Sequence, residues 1–197
     1  MVTVENGEMK EASKGTCKSE PPYRCPGYTS SPESWFAYDT KSDGTLKLKG
    51  FTSEHTSSDT EIAILCTIDG VKVTEIGAIA FMNKNITKLQ IPSSVTTIGS
   101  AAFNNNKLND DEAYIYARTS IGEEDKTALV SYGGLNKDIT IPENVITIGY
   151  GAFAGTGITS LIIPSSVVTI GEQSFYYTNL ASIQIPSSVE KSGKLHF

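Results

Sequence analysis

The five residues IPSSV occur at positions 91–95, 163–167 and 185–189, and the variant IPENV occurs at 141–145. Such recurrence indicates an internal repeat, which has to be identified first because it decides the whole fold. In each copy the proline lacks the N–H that a strand ladder needs, so it ends a strand, and the residues after it turn the chain. The motif therefore predicts one strand end and one turn per repeat.

A second motif gives the length of the repeat. An Ile-Gly pair is followed, after three residues, by phenylalanine at Phe81, Phe103, Phe153 and Phe175, in steps of 22, 50 and 22 residues. The period is therefore 22 residues, and the long step contains an insertion of 28 residues, which lies within about 104–137.

A unit of this length cannot bury its apolar face alone, so successive units stack and each adds a strand rung about 4.8 Å from the last. Equivalent apolar side chains, the phenylalanines among them, then form ladders in one core. Alternation along the strand before the Ile-Pro pair predicts which of its residues point inward. They are Leu89, Ile91, Leu161, Ile163, Ile183 and Ile185.

The glycine of each Ile-Gly pair is predicted to supply a backbone φ that a side chain would resist. These glycines are Gly77, Gly99, Gly149 and Gly171.

The pattern T-x-I-G-x-x-A-F, followed by L-x-x-I-x-I-P-S-S-V, resembles the BspA-like leucine-rich repeats of bacterial surface proteins over about residues 60–189. The resemblance implies a right-handed, β-rich leucine-rich-repeat solenoid of short strands plus turns or short helical segments. It also implies display on a cell surface for adhesion to host proteins or to other cells. It implies no catalytic residues.

The chain is expected to have three parts. Residues 1–30 are polar and are interpreted as a linker or tether. Residues 31–59 predict an N-terminal cap, a β-hairpin whose aromatic residues cover the first rung. Residues 60–197 then form the solenoid, interrupted by the insertion.

The three cysteines bear on the compartment. Cys17 and Cys25 flank the segment CKSEPPYRC, where a small disulfide loop would hold the chain and would indicate an oxidising compartment. Cys66 lies in the apolar run IAILCTI and is expected to be a buried free thiol.

The insertion contains two alternating runs, EAYIYARTS and TALVSYGG, and predicts a β-hairpin that protrudes before the strand at 139–141. Tyr114, Tyr116 and Arg118 would share one face of it, and with Tyr132 they are candidate partner-binding residues because tyrosine and arginine often anchor interfaces. The alternative is that the hairpin only packs its aromatic residues on the flank of the solenoid.

The outward-facing strand residues form a second candidate surface, called the lane below. Most of them are small and able to form hydrogen bonds, which suits an extended protein or a glycan. The alternative is a face that only confers solubility. The lane consists of Lys88, Gln90, Asp138, Thr140, Ser160, Ile162, Ser182 and Gln184.

Several function classes are disfavoured. A net charge of -6 argues against nucleic-acid binding, and no apolar run is long enough for a transmembrane segment. The two histidines, His55 and His196, suggest no catalytic or metal site, and the glycines of 149–155 belong to the repeat rather than to a cofactor fingerprint. The acidic runs 110–112 and 123–125 lack the spacing of a calcium loop and are interpreted as solvated.

These observations favour a non-catalytic adhesion module with an extracellular or cell-surface location, whose leader and anchor lie outside this chain. Its expected partner is an extracellular protein or glycan, such as a component of a host matrix. The alternative is a structural spacer or pilus-associated subunit that self-associates through the ends of its solenoid.

Overall fold

The computed structural model describes residues 31–194, together with the backbone of two short antiparallel strands, β1 (Val4–Glu5) and β2 (Glu8–Met9). The predicted Cys17–Cys25 loop lies outside the described residues, as does the rest of the predicted 1–30 tether.

Short strands make up nearly all the regular structure of residues 31–194. In the first half they are β3 (Phe36–Thr40), β4 (Leu46–Phe51), β5 (Glu61–Ala63), β6 (Thr67–Ile68), β7 (Val71–Ile76), β8 (Lys88–Gln90) and β9 (Thr97–Ile98). In the second half they are β10 (Tyr114–Arg118), β11 (Glu124–Tyr132), β12 (Asp138–Thr140), β13 (Thr147–Ile148), β14 (Ser160–Ile162), β15 (Thr169–Ile170) and β16 (Lys191–Ser192). Over this range the helical structure is a 3-10 turn at Glu33–Trp35, and no helix could cross a membrane.

Each regular coil contributes two strands that pair in parallel with the same strands of the next coil. The strand before the Ile-Pro pair, which in the first coil is Ile64-Leu65 instead, forms the pairs β5 with β8 and β12 with β14. The strand before the Ile-Gly pair forms the pairs β7 with β9 and β13 with β15, so that Ile76 faces Ile98 and Ile148 faces Ile170. The chain is therefore a β-solenoid in which equivalent residues of successive coils stack, as the repeat predicted.

The four repeated phenylalanines are all buried in the core, and those of adjacent coils stack on each other, as the repeat predicted. Phe81, Phe103, Phe153 and Phe175 each have 0% exposure. The ring centroids of Phe81 and Phe103 are 5.5 Å apart, and those of Phe153 and Phe175 are 5.9 Å apart. Tyr132, 1% exposed, lies next to the second pair, with its ring centroid 5.5 Å from that of Phe153. We call these five rings the aromatic column; it has two parts, one ending at Phe103 and the other at Tyr132, which belong to separate buried clusters.

Each Ile-Pro motif begins a turn, as predicted, and the copies at Ile91, Ile141 and Ile163 also directly follow a strand. In every copy the N–H of the valine donates to the carbonyl oxygen of the proline three residues earlier, which closes the turn. The four N···O distances are 3.1 Å for Val95, 3.0 Å for Val145, 3.2 Å for Val167 and 3.1 Å for Val189.

The repeated glycines are required for a different reason from the one predicted. None of the four has a positive φ. Instead, a Cβ on Gly99 would lie 2.3 Å from the backbone nitrogen of Ala78, and a Cβ on Gly171 would lie 2.6 Å from that of Tyr150. Because adjacent coils approach so closely here, only a residue without a side chain fits.

The left-handed conformation occurs two residues after each of these glycines. Its φ is 53° at Ile79 and Ala101, 60° at Gly151 and 55° at Gln173, so one of these four residues is a glycine. In each case the N–H donates to a carbonyl oxygen of the next coil, as from Ile79 to Ser100 at 3.0 Å. Hydrogen bonds between coils therefore offset the cost of this conformation in residues with side chains.

The insertion contains a hairpin, but the prediction that it protrudes is wrong. β10 and β11 pair antiparallel, and β11 also pairs in parallel with β13, placing Leu129 opposite Ile148. Leu129 and Tyr132 are both buried in the core. A protruding hairpin would expose their apolar side chains to water, which costs free energy. Residues 104–137 therefore make one irregular coil of the stack.

The first coil is covered by β3 and β4, which pair antiparallel, while β4 also pairs in parallel with β7. Phe36 and Phe51 pack on the end of the aromatic column, with ring centroids 6.1 and 4.8 Å from that of Phe81. The apolar face of the first coil is thus not left open to solvent.

Cys66 is buried as expected, with 3% exposure, but it is disulfide-bonded, so the expectation of a free thiol is wrong. An apolar neighbourhood predicts burial of a cysteine and carries no information on its bonding.

Of the last predicted inward pair, Ile183 packs on the core and is half-buried, whereas Ile185 is 39% exposed. Residues 182–184 form no strand in the described part of the chain. Within this part the segment has a neighbouring coil on one side only, so its short strand gains less from pairing and packing than the strands between two coils.

Candidate functional site

The strand face that was predicted as a continuous lane is divided in two. Within residues 31–194, β8 does not pair with β12. Between them the irregular coil makes a turn, in which the N–H of Glu112 donates to the oxygen of Asn109 at 2.9 Å. The residues here are Asn-Asp-Asp-Glu, which favour turns, where a regular coil has its apolar strand. One rung of the face is therefore missing.

The predicted lane residues fall on either side of this gap. Lys88 forms a salt bridge of 3.7 Å with Glu61 of the preceding coil. The positions are Lys88 and Gln90 on β8, Asp138 and Thr140 on β12, Ser160 and Ile162 on β14, and Ser182 and Gln184 in no strand.

A cavity of about 160 Å³ occupies the gap. Tyr114 and Tyr132 are among the residues that line it, and their ring centroids are 5.3 Å apart. Four of the lining residues are exposed, so the cavity opens to solvent. We call it the acidic pocket, and it is lined by Asp110, Tyr114, Tyr132, Asn136, Asp138, Ile139 and Thr140.

Hydrogen bonds fix the walls of the acidic pocket. The hydroxyl of Tyr114 donates to the carbonyl oxygen of Thr140 at 2.8 Å, and that of Tyr132 donates to the carbonyl oxygen of Asn136 at 3.3 Å. The side-chain amide of Asn136 donates to Oδ1 of Asp110 at 2.6 Å. The turn at Asp110 and the strand β12 are thus held together across the pocket.

Burial, and to a lesser degree the neighbouring Tyr116 and Asp110, raise the pKa of Tyr114 to about 12. Burial, and to a lesser degree the neighbouring Tyr114 and Asp110, raise the pKa of Tyr132. Both phenols are therefore protonated at neutral pH, as their roles as hydrogen-bond donors require.

Arg118 and Tyr116, predicted as contacts together with Tyr114, point to other neighbours. The guanidinium of Arg118 donates to the carbonyl oxygens of Gly122 at 2.9 Å and Ile91 at 3.1 Å, and burial lowers its pKa. Tyr116 is half-buried and does not line the pocket. The structure thus uses Arg118 to fix the hairpin to the turn of the coil before it.

The tip of the hairpin packs directly on that turn. Gly122 has a φ of 78°, and a Cβ on it would lie 1.8 Å from the carbonyl oxygen of Ser93. No other residue fits so close an approach, which explains the glycine in the sequence IGEEDK.

Buried polar side chains near the two ends of the irregular coil, Asn104 and Ser131, hold it in the stack. Oδ1 of Asn104 accepts from the Ser131 hydroxyl at 2.6 Å and from the N–H of Tyr132 at 3.0 Å. Its amide nitrogen donates to the carbonyl oxygens of Gly151 at 3.0 Å and Ala154 at 2.8 Å. One side chain thus joins the beginning of the irregular coil to its end and to the coil that follows it.

The sequence named Tyr114, Tyr132 and Thr140 as candidates, and the structure brings these three together in the acidic pocket. It did not name Asp110 or Asn136 as contacts. Among residues 31–194, no group of three or more histidine, cysteine, aspartate or glutamate side chains is arranged to hold a metal ion. What the pocket offers is a recess of acidic and aromatic groups in a polar strand face.

Comparison with known proteins identifies the repeats. The family model of the BspA type leucine-rich repeat region matches residues 66–123 and 131–197, in six copies. None of the curated proteins compared is significantly similar to the chain.

Solved structures of bacterial leucine-rich repeat proteins are also similar. A leucine-rich cell surface protein of Faecalibacterium prausnitzii is 20% identical, with a TM-score of 0.43, over 85% of this chain and 51% of its own. The T. pallidum leucine-rich repeat protein is 20% identical, with a TM-score of 0.43, over 85% of this chain and 83% of its own. A leucine-rich repeat protein of Bacteroides ovatus is 21% identical, with a TM-score of 0.40, over 80% of this chain and 59% of its own. The chain thus spans about half the length of the first of these proteins.

Proposed function

Because this chain belongs to the BspA type leucine-rich repeat family, we propose that it is a non-catalytic protein-interaction module displayed at a cell surface. Its role is adhesion to an extracellular protein or glycan, with the strand face around the acidic pocket as the contact surface.

The observation that carries this proposal is the form of the strand face. Asp138, Thr140, Ser160 and Ile162 are exposed side by side on two paired strands, next to the acidic pocket. An open polar face with one recess suits a macromolecular partner that makes many contacts and inserts one group.

The disulfide at Cys66 supports the extracellular part of the proposal. Disulfides persist in oxidising compartments, outside the cytosol, and are rare where thiols are kept reduced.

The proposal is tested by binding of the whole, oxidised chain to a panel of extracellular matrix proteins, mucins and glycan arrays. We expect saturable binding to a member of the panel. Ser160→Arg places a long side chain on the exposed face of β14 and is expected to weaken that binding at least about tenfold, which corresponds to about 1.4 kcal/mol.

Ser57→Arg is the matched control, because Ser57 is exposed in the loop before β5 and the change in size and charge is the same. It is expected to leave the affinity within about twofold, less than about 0.5 kcal/mol. Absence of binding across the panel would contradict the adhesion proposal, and equal losses in the two variants would contradict the assignment of the strand face.

A spacer that self-associates is the second candidate, and one observation favours it. On its side away from β12, β14 pairs with no other strand of residues 31–194, and Ile162 on it is 60% exposed. Such an edge can add a strand of another molecule. Sedimentation at increasing concentration separates the candidates, since the spacer requires multimers and the adhesion module does not.

A further inference from the structure

We propose that the acidic pocket binds the cationic side chain, a lysine or an arginine, of an extended segment in a partner protein. This inference rests on the proposed function and specifies the chemistry of its partner.

The hydrogen-bonding capacity that remains in the pocket is mostly that of acceptors. The hydroxyls of Tyr114 and Tyr132 already donate to backbone oxygens, and one N–H of Asn136 donates to Asp110. The lining side chains retain carboxylate and phenol oxygens, against two donors, the Thr140 hydroxyl and the second amide N–H of Asn136. A group that donates several hydrogen bonds and accepts none complements such a site, and ammonium and guanidinium are the side-chain groups of this kind.

The charge of the pocket favours the same groups. Among the described residues, neither Asp110 nor Asp138 forms an ion pair with a basic side chain, and this includes the neighbouring Lys137. Asp111 and Glu112 add two exposed carboxylates beside the pocket. A cation entering here would meet uncompensated negative charge in a partly desolvated recess, where attraction is stronger than on an open surface.

Size and walls also match a single side chain. A volume of about 160 Å³ admits the end of one lysine or arginine side chain. Tyr114 lines the pocket and is only half-buried, and aromatic rings attract cations at their faces.

A neutral glycan is a poorer match. Each sugar hydroxyl needs both a donor and an acceptor to satisfy its hydrogen bonds, and the pocket has few donors left. The lack of positive charge would also leave the two carboxylates uncompensated upon desolvation.

The test uses three otherwise identical peptides of glycine and serine with one central lysine, arginine or Nε-acetyl-lysine. Binding to the whole chain is followed by amide chemical shifts in NMR spectra, which detect weak affinities. We expect the lysine and arginine peptides to bind at least about tenfold more tightly than the acetylated one, to shift residues 110–114 and 136–140, and to weaken with added salt.

The double variant Asp110→Asn with Asp138→Asn keeps the size of both side chains and is expected to abolish binding. Asp111→Asn with Glu112→Gln changes the net charge equally outside the pocket and is expected to reduce binding less than about threefold, under 0.7 kcal/mol. Equal binding of the acetylated peptide, no binding of any peptide, or equal loss in the two double variants would overturn the inference. If the whole chain still binds its extracellular partner in that case, the proposed function stands without this specificity.

Discussion

Replacement of Phe153 by alanine is expected to lower the free energy of unfolding by about 3–5 kcal/mol. The side chain has 0% exposure and lies in the aromatic column between Tyr132 at 5.5 Å and Phe175 at 5.9 Å. Its removal leaves a cavity that neighbouring coils cannot close, because hydrogen bonds fix their spacing. Denaturant unfolding, monitored by circular dichroism, measures the loss.

Tyr177→Ala is the control for this prediction, since it removes an aromatic ring that is 73% exposed from the same coil as Phe175. It is expected to change stability by less than about 0.5 kcal/mol. If Phe153→Ala were as mild, the aromatic column would not be the core of the solenoid.

Replacement of Asn106 by alanine is expected to cost about 3 kcal/mol or more. Its buried side chain makes four hydrogen bonds, accepting from the N–H groups of Lys84 and Ile86 and donating to the carbonyl oxygens of Phe81 and Phe103, at 2.6 to 3.1 Å. The variant leaves these backbone groups buried without partners, and each costs about 1–3 kcal/mol.

The neighbouring Asn105 provides the matched control. It is exposed and has a φ of 54°, which glycine adopts readily, so Asn105→Gly is expected to cost less than about 1 kcal/mol. The same denaturant measurement applies. Equal effects at the two positions would show that the buried network around Asn106 does not hold the coils together.

The regular part of the solenoid could be predicted from sequence because the same slots recur in several units. Phe81 and Phe103, for example, occur at one spacing with one set of neighbours, so any stacking of the units brings them together. The prolines were equally informative, because the missing N–H ends a strand in any context.

The irregular coil could not be predicted because its spacing differs from that of the repeat. Leu129 and Tyr132 are three residues apart, whereas the equivalent Ile148 and Phe153 are five apart, so the segment does not align with the other units. The alternation in TALVSYGG indicated a strand, but alternation does not tell which strand it pairs with. The structure shows that β11 pairs both with β10 and with the next coil.

Only some of the residues that line the acidic pocket could be predicted from the sequence, for the same reason. Tyr114 and Tyr132 were noted as residues typical of interfaces, whereas Asp110 belongs to an acidic run that was interpreted as solvated. Its proximity to Asp138 in the lining follows from a missing rung, which is a property of the stack rather than of any local motif. Likewise, asparagines such as Asn106 resemble loop residues in sequence, since burial of their amides depends on the coils around them.

The central claim is that residues 104–137 form a coil of the solenoid and leave the acidic pocket in its strand face. Contacts between aromatic rings in NMR spectra of the whole chain test it most directly. The claim predicts a strong nuclear Overhauser contact between the rings of Tyr132 and Phe153, whose centroids are 5.5 Å apart, and one between the rings of Tyr132 and Tyr114, at 5.3 Å. Spectra with contacts between Phe153 and Phe175 but none from Tyr132 to Phe153 would place the hairpin outside the stack and contradict it.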